Sequence, residues 1–485
     1  MDYLPSQTTS LTHHHPCGLT HHKSFVSALK ALHAPGAEHC FIDTPFMVNW
    51  AIMMLHEPDV SRTAYFYYTV CHGAKWTDHP ELALPSEMPN LYMCNSRQGK
   101  RAIKKAVSKR LSDGTVLLWD ACKHTTIDPH LDIPRKVSPM FWVPKRGISI
   151  DVEIREIQHM SAPLGNAPND LPNPTSFVDD LKYTTVRQAA RDMGFGDFMF
   201  KEDVRWGYKN VWIHPSCLSL MGFALDGVYY VDATLPFGLR LAPWIFSGLT
   251  NILRNAAVRT AGGLCKAMHV YLDDFLGIAT DESKAEAVRQ ILITTLESVD
   301  WSMNATKTVL PTQQCEFLAV VMDSILMALY LSPDRIAELH QVIQKMCKFH
   351  SRVGKKLVER FCGVMNWTAE VVGGVRTFMR SWITAMNKVK LSNHMVSVTS
   401  VMTSDLDILS MLLDTCNLHE LKSVIKCDHI PITHNTVDAC GFGLGGFFNG
   451  KVWQFHWPDE VIAHSDIKEL VDRCPAQVPT CMGDM

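Results

Sequence analysis

The stretch HVYLDDFLGIAT, residues 269–280, constrains this chain more than any other, because two adjacent aspartates interrupt a run that is otherwise almost wholly apolar. A buried carboxylate without a partner normally gives up its charge, and two side by side raise that cost. The run reads as strand, two-residue turn, strand. Val270, Tyr271 and Leu272 lead in, Asp273 and Asp274 occupy the tip, and Phe275, Leu276, Gly277 and Ile278 lead out. A surface hairpin with an acidic tip accounts for this, since turns favour Asp. A divalent-metal site accounts for it equally, since Mg²⁺ is held by one or two carboxylates together with substrate phosphates.

The surrounding chain offers room for such a site. Its 485 residues are too many for one ordinary domain, and a 47% hydrophobic content supports sizeable cores. The formal net charge of -3 means that any nucleic-acid contact must come from local basic patches. Fifteen cysteines lie scattered without paired spacing, and no basic segment leads into an apolar core and cleavage site at the N-terminus. A reduced, intracellular protein is expected, and no apolar run approaches the roughly 18 residues of a membrane span. The N-terminal HHHPCGLTHH offers His13, His14, His15, Cys17, His21 and His22. A closed zinc site needs four placed ligands, and a disordered polar tail suits this segment better.

Composition divides the chain into five parts. Residues 1–115 form an N-terminal region of unknown role, partly disordered, ending in GKRAIKKAVSKRL. As a helix, that stretch places Arg101, Lys104, Lys105 and Lys109 along one broad side. A solvated face explains such a run more readily than a phosphate-binding one. Residues 116–200 are rich in Pro and Asn, as in PLGNAPNDLPNP, which suits a loop-bearing lobe. Over 201–325, short apolar strands alternate with helical patterns such as SKAEAVRQILITTLESV. Periodicity over 326–425 is mostly helical, as in DRIAELHQVIQKMCKFH. Residues 426–485 return to strand-like, Gly-rich sequence in THNTVDACGFGLGGFFNGKVWQFHW.

A two-metal phosphoryl-transfer site needs carboxylates from more than one strand, so that the ions can clamp attacking and leaving oxygens. Upstream, FMFKEDVRWGYKNVWIHP supplies a third acid: Asp203 ends an apolar strand before a turn carrying Gly207 and Tyr208. Between the acids lies LPFGLRLAPWIFSGLTNIL, where Pro236, Gly238 and Pro243 punctuate a loop that runs into a helix. Glycine there permits close backbone approach to a ligand, and Phe237 beside it is free to lie against a base or sugar. Taken singly, each feature has an ordinary structural explanation.

In this order and spacing, Asp203, LPFGLRLAP and YLDD resemble the palm of a reverse transcriptase, especially those of LTR-type retroelements including the tyrosine-recombinase-encoding DIRS-like retrotransposons. NATKTVLPTQQCEFLAVVMDS resembles the segment after the palm acids, with Lys307 at its lysine and Phe317-Leu318 at its primer-contacting turn. RFCGVMNWTAEVVGGVRTFMRSW resembles the thumb and connection helices, and VSPMFWVPKRGISIDVEIREIQHMS the fingers. His159 stands where the fingers pattern usually has an aspartate. DACGFGLGG, with Asp438, and HSDIKELV, with Glu469, resemble an RNase H domain, expected to be truncated and inactive. The resemblance spans roughly residues 130 to 475.

It implies an α+β right-hand polymerase, with fingers over 116–200, palm over 201–325, thumb and connection over 326–425, and a partial RNase H-like segment over 426–485. Asp203, Asp273 and Asp274 would hold Mg²⁺ or Mn²⁺, and Lys307 would protonate or neutralise the leaving group. Lys145 and Arg155 would bind the triphosphate. Tyr208 would exclude a ribose 2′-hydroxyl, and Phe237 and Gly238 would border the nucleotide. The implied partners are deoxynucleoside triphosphates and an RNA or DNA template-primer, with no membrane. A decayed or co-opted retroelement fragment that binds nucleic acid or protein without catalysis is the alternative. A DNA-templated palm polymerase fits the YLDD sequence less well.

Overall fold

The runs FMFKED and DFLGIA become neighbouring strands because their apolar side chains are buried on both faces of one sheet. The sheet contains β1 (Phe198–Asp203), β2 (Ala267–Tyr271), β3 (Asp274–Ala279) and β4 (Val309–Thr312), in the antiparallel order β4-β1-β3-β2. Gly277 of β3 lies opposite Phe200 of β1, where a Cβ would come within 2.2 Å of the Phe200 ring. Glycine at this position therefore lets a large ring fill the core without parting the strands.

Two helices cover the sheet. Helix α1 (Ala242–Ala261) carries Pro243 in its first turn, where the missing N–H costs nothing. Helix α2 (Glu282–Glu297) begins at the N-cap Asp281, whose side chain accepts from the Lys284 N–H at 2.9 Å. Both pack against the sheet and each other, burying Trp244, Phe246, Leu292 and Leu296.

The computed structural model describes residues 45–78, 80–87, 97–144, 148–172, 181–348, 351–391, 394–421, 436–440, 443–448 and 451–456. Within it the chain forms two compact units, 1–185 with 197–313, and 186–196 with 314–485. The first holds the sheet above and a five-stranded sheet of Ser86–Glu87, Lys136–Val137, Gly222–Leu225, Val228–Asp232 and Val116–Leu118, in that spatial order. Helix Arg97–Ser112 turns Ala102, Ile103 and Val107 inward onto Val116, Met140, Ile154 and Phe223. Arg101, Lys104, Lys105 and Lys109 point outward, while Arg110 is buried. Hairpin Met140–Pro144 and Ile154–Gln158 completes this part.

The second unit is built on the antiparallel strands Gln314–Phe317, Val320–Asp323, Ala328–Tyr330 and His419–Glu420. Its long helices are Pro333–Cys347, Lys355–Thr368 and Ser400–Thr415. Leu318 and Ala319, both with positive φ, form the two-residue turn of its first hairpin. Strands Thr436–Cys440, Gly443–Phe448 and Lys451–His456 form a three-stranded antiparallel sheet. No helix of the described residues is long and apolar enough to cross a membrane. The cysteines recorded among them are free thiols. The N-terminal His and Cys residues lie outside the described residues.

The acidic hairpin differs from the expectation by one position. Leu272 and Asp273 form the turn, and Asp274 already belongs to β3, paired with Tyr271 on one side and Asp203 on the other. Leu272 takes the left-handed conformation, φ 55°. Turn statistics favour Asp-Asp at the tip, whereas the register is fixed by the cross-strand partners and by the apolar run that must stay inside.

Candidate active site

Asp203 and Asp274 are register partners at the ends of β1 and β3, so their carboxylates project side by side from one face. Asp273 joins them from the turn, its carbonyl accepting from the Val204 N–H at 2.9 Å. Thus the sheet brings together two acids adjacent in sequence and a third some seventy positions upstream.

The local charge is uneven. Asp203 is 3% exposed. Lys307 Nζ donates to its Oδ2 at 2.7 Å, and Asn304 Nδ2 donates to its Oδ1 at 3.1 Å. The Asn304 N–H also donates to the Asp203 carbonyl at 2.8 Å. Among the described residues, no lysine or asparagine clamps Asp273 or Asp274 in this way. Burial and the neighbouring Asp203 charge push the Asp273 carboxyl above its ordinary range, against the partial relief of Lys307 and Arg155. Asp274 is pushed up to about 6, chiefly by burial, then by Asp273 and Asp203, with Lys201 and Lys307 opposing. Burial alone would lower Lys307, but its hydrogen bond to Asp203 and the charges of all three acids hold its ammonium above the usual value.

One wall of the site is aromatic. Tyr208 sits on the short 3-10 turn Gly207–Asn210 and packs on Phe237 at 5.2 Å and Phe246 at 5.3 Å between centroids. Burial first, then Tyr183 and Asp273, push its hydroxyl well above the usual tyrosine range. Arg155, exposed on strand Ile154–Gln158, lies 5.4 Å over the Phe237 ring. Gly238 has φ 113°, and a Cβ there would fall 2.0 Å from the Gln158 carbonyl oxygen. Only glycine fits this approach.

Of the residues singled out in sequence, Asp203, Asp273, Asp274 and Lys307 therefore meet, with Arg155, Tyr208, Phe237 and Gly238 forming the adjoining wall. Lys307 is bonded to Asp203, a contact its spacing did not indicate. Lys145 and Glu469 lie outside the described residues. Asp438 lies on strand Thr436–Cys440, opposite Gly445. Sequence reasoning missed Asn304, whose partner is 101 positions away. It also missed Tyr183, which packs on Tyr271 at 4.9 Å.

The donor set suits a hard cation. Asp203 and Asp274 lie side by side with Asp273 in the adjoining turn, and burial first, then repulsion among the acids, raises the proton affinity of Asp273 and Asp274. Among the described residues no group of three or more His, Cys, Asp or Glu side chains is arranged to hold a metal ion. Mg²⁺ takes only one or two carboxylates and completes its shell with water and phosphate, so an open set meets its needs.

Residues 144–322 match the family model described as reverse transcriptase (RNA-dependent DNA polymerase). No curated protein sequence matches the chain. Among solved structures, a foamy viral protease-reverse transcriptase (the dRH form) in complex with double-stranded DNA matches with a TM-score of 0.54 at 12% identity, over 88% of this chain and 71% of that one. The foamy viral protease-reverse transcriptase in complex with double-stranded DNA gives 0.52 at 13%, over 89% and 84%. Its complex with an RNA/DNA hybrid gives 0.52 at 12%, over 83% of this chain and 49% of that one. At such identities the likeness is one of fold. The chain thus carries a segment, residues 144–322, that matches the reverse transcriptase family, within a fold shared with foamy viral protease-reverse transcriptases.

Proposed function

We propose that this chain is an RNA-directed DNA polymerase of a retrotransposon, which adds deoxynucleotides to a primer 3′-hydroxyl by two-metal nucleotidyl transfer. The observation that carries the reading is the pairing of Asp203 with Asp274 beside Asp273, a cluster of largely buried carboxylates that repel one another. These three acids would hold Mg²⁺ or Mn²⁺. When bound, the ions supply Lewis acidity toward the 3′-hydroxyl and neutralise charge on the triphosphate and departing pyrophosphate. The acids themselves act as ligands, not as general bases.

The remaining roles belong to the surrounding side chains. Lys307, held cationic by its acidic neighbours, is suited to neutralise the leaving group once a nucleotide draws it from Asp203. Arg155 offers a planar fork to phosphate oxygens, and Lys145 shares that role by resemblance. Tyr208, braced by Phe237 and Phe246, presents the bulk that excludes a 2′-hydroxyl. The close approach at Gly238 sets the floor beneath the nucleotide. Foamy viral proteins of like fold bound to double-stranded DNA and to an RNA/DNA hybrid support a template-primer as partner. The strand position of Asp438 is compatible with the RNase H-like resemblance of DACGFGLGG.

Primer extension on poly(rA)-oligo(dT) with Mg²⁺ tests the reading. The parent should extend the primer. Asp273→Asn should abolish extension and leave template-primer binding largely intact, because binding rests on phosphate contacts elsewhere. Tyr208→Ala should admit ribonucleotides, and unchanged sugar discrimination would remove its gate role. A parent that binds the template-primer yet extends nothing would favour the non-catalytic alternative.

A further inference from the structure

Beside Phe237 lies a small cavity of about 10 Å³, lined by Arg110, Glu156, Gln158 and Asp232 among others. All four side chains are buried, and Asp232 is 1% exposed. Asp232 closes strand Val228–Asp232, with Oδ1 accepting from Arg110 Nη2 and Oδ2 accepting from Gln158 Nε2 at 2.5 Å. A carboxylate only accepts, so the Gln158 amide must turn its nitrogen to Asp232. Among the described residues its buried Oε1 has no hydrogen-bond partner. Such an arrangement costs stability, and a functional gain commonly offsets the cost of an unsatisfied group.

The Gln158 backbone borders the candidate site. Its N–H donates to the Phe237 carbonyl at 3.0 Å, and its carbonyl is the atom that a Gly238 Cβ would strike. One residue therefore contacts both members of the Phe237-Gly238 pair, while its side chain is tied to a buried ion pair. Arg110 in turn belongs to helix Arg97–Ser112, whose other basic residues face solvent. An inward arginine in a basic helix is explained by Asp232, which without it would be an uncompensated buried charge.

We propose that Gln158 and Asp232, anchored by Arg110, are positioning residues that set the height of Phe237-Gly238 and hence the fit of the incoming nucleotide. The proposal rests on the polymerase reading above. None of the three touches the metal-binding acids or the reacting atoms. Their influence is on nucleotide affinity and sugar selection, through the Phe237 ring and the Tyr208 ring packed on it.

Single-nucleotide insertion opposite poly(rA) separates these effects. Gln158→Leu keeps the Arg110 and Asp232 ion pair and removes the tether. KM for dTTP should rise about tenfold, the scale of one hydrogen bond to a charged group. kcat and template-primer affinity should change less than about twofold, with Tm close to the parent's. Gln158→Glu, which sets two acceptors face to face, and Asp232→Asn, which removes the charge that anchors the tether on Arg110, should each raise KM. Combining them restores a donor and acceptor pair and should return KM to within about threefold of the parent. A folded Gln158→Leu protein with parental KM and sugar selection overturns the proposal while leaving the polymerase reading intact. So does a loss confined to kcat and Tm. If Gln158→Leu does not fold, the combined variant decides: failure to recover the KM raised by its single changes overturns the proposal. A parent that extends no primer overturns the polymerase reading and this proposal together.

Discussion

Among single residues, Asp274 carries the clearest conflict between folding and function. Its folded-state pKa, raised from 3.8 to about 6, means that the folded protein binds more protons than the unfolded chain between those values. The stabilising contribution is full below pH 3.8 and is lost as pH rises through about 6. Above pH 6 the ionised carboxylate is therefore a cost when no divalent cation is present. Asp274→Asn should raise Tm by roughly 2–4 °C at pH 7.5 in chelator, with the difference vanishing toward pH 4. Adding Mg²⁺ or Mn²⁺ should raise the parent's Tm more than the variant's, because only the parent keeps its full ligand set. A variant less stable than the parent in chelator at pH 7.5 would contradict this account. Lys307 moderates the same conflict by occupying Asp203, leaving the charge deficit to the two hairpin acids.

At the scale of elements, β1 is pinned from both faces. Asp203 meets Lys307 on one side, and the preceding Glu202, fully buried, meets Arg289 of α2 at 2.7 Å and accepts from Thr308 at 2.7 Å on the other. Consecutive residues of β1 are thus tied to consecutive residues, Lys307 and Thr308, before and at the approach to β4. Arg289→Ala would leave Glu202 buried and unpaired, with an expected loss of about 3–5 kcal/mol in urea unfolding. Replacing both partners, Glu202→Leu with Arg289→Leu, should cost much less. A loss below about 1 kcal/mol for Arg289→Ala would show that the pair does not fix the strand. Such long-range pairs explain what the sequence conceals. The strands beginning at Phe198 and Asp274, the helices over SKAEAVRQILITTLE and DRIAELHQVIQKMC, and the Gly-rich strands after residue 435 follow local periodicity and were legible. The hairpin tip was misplaced by one residue because cross-strand register outranks turn preference. Asn304, Gln158 and the inward turn of Arg110 were not legible, since each is explained by a partner distant in the chain. The order of motifs exposed the acids and the glycine loop, but not the polar groups that support them.

Across the whole molecule, the division into two units separates the acids from part of the chain that leads to them. Asp203, Asp273, Asp274 and Lys307 all belong to the first unit, while the second includes residues 186–196, which immediately precede β1. That short segment is held within its own unit by Arg187 on Glu370 at 2.9 Å and by the Gly196 N–H on the Ser324 carbonyl at 3.1 Å. Val186, Ala189, Ala190 and Met193 of this segment are buried. A chain cut after Gln313 should consequently keep the acid cluster but expose those apolar side chains, since their segment clusters with the residues removed. Its Tm should still rise on adding Mn²⁺, because every acid of the site and the sheet that registers them remain. Its tendency to self-associate, read by sedimentation, should increase and should fall again on Val186→Ser with Met193→Gln. A shortened chain that folds yet shows no cation response would mean that the second unit is needed to set the acids. The local hydrogen bonds from Asn304 and Lys307 and the Asp203 to Asp274 register argue for the opposite outcome, since each is complete within the first unit.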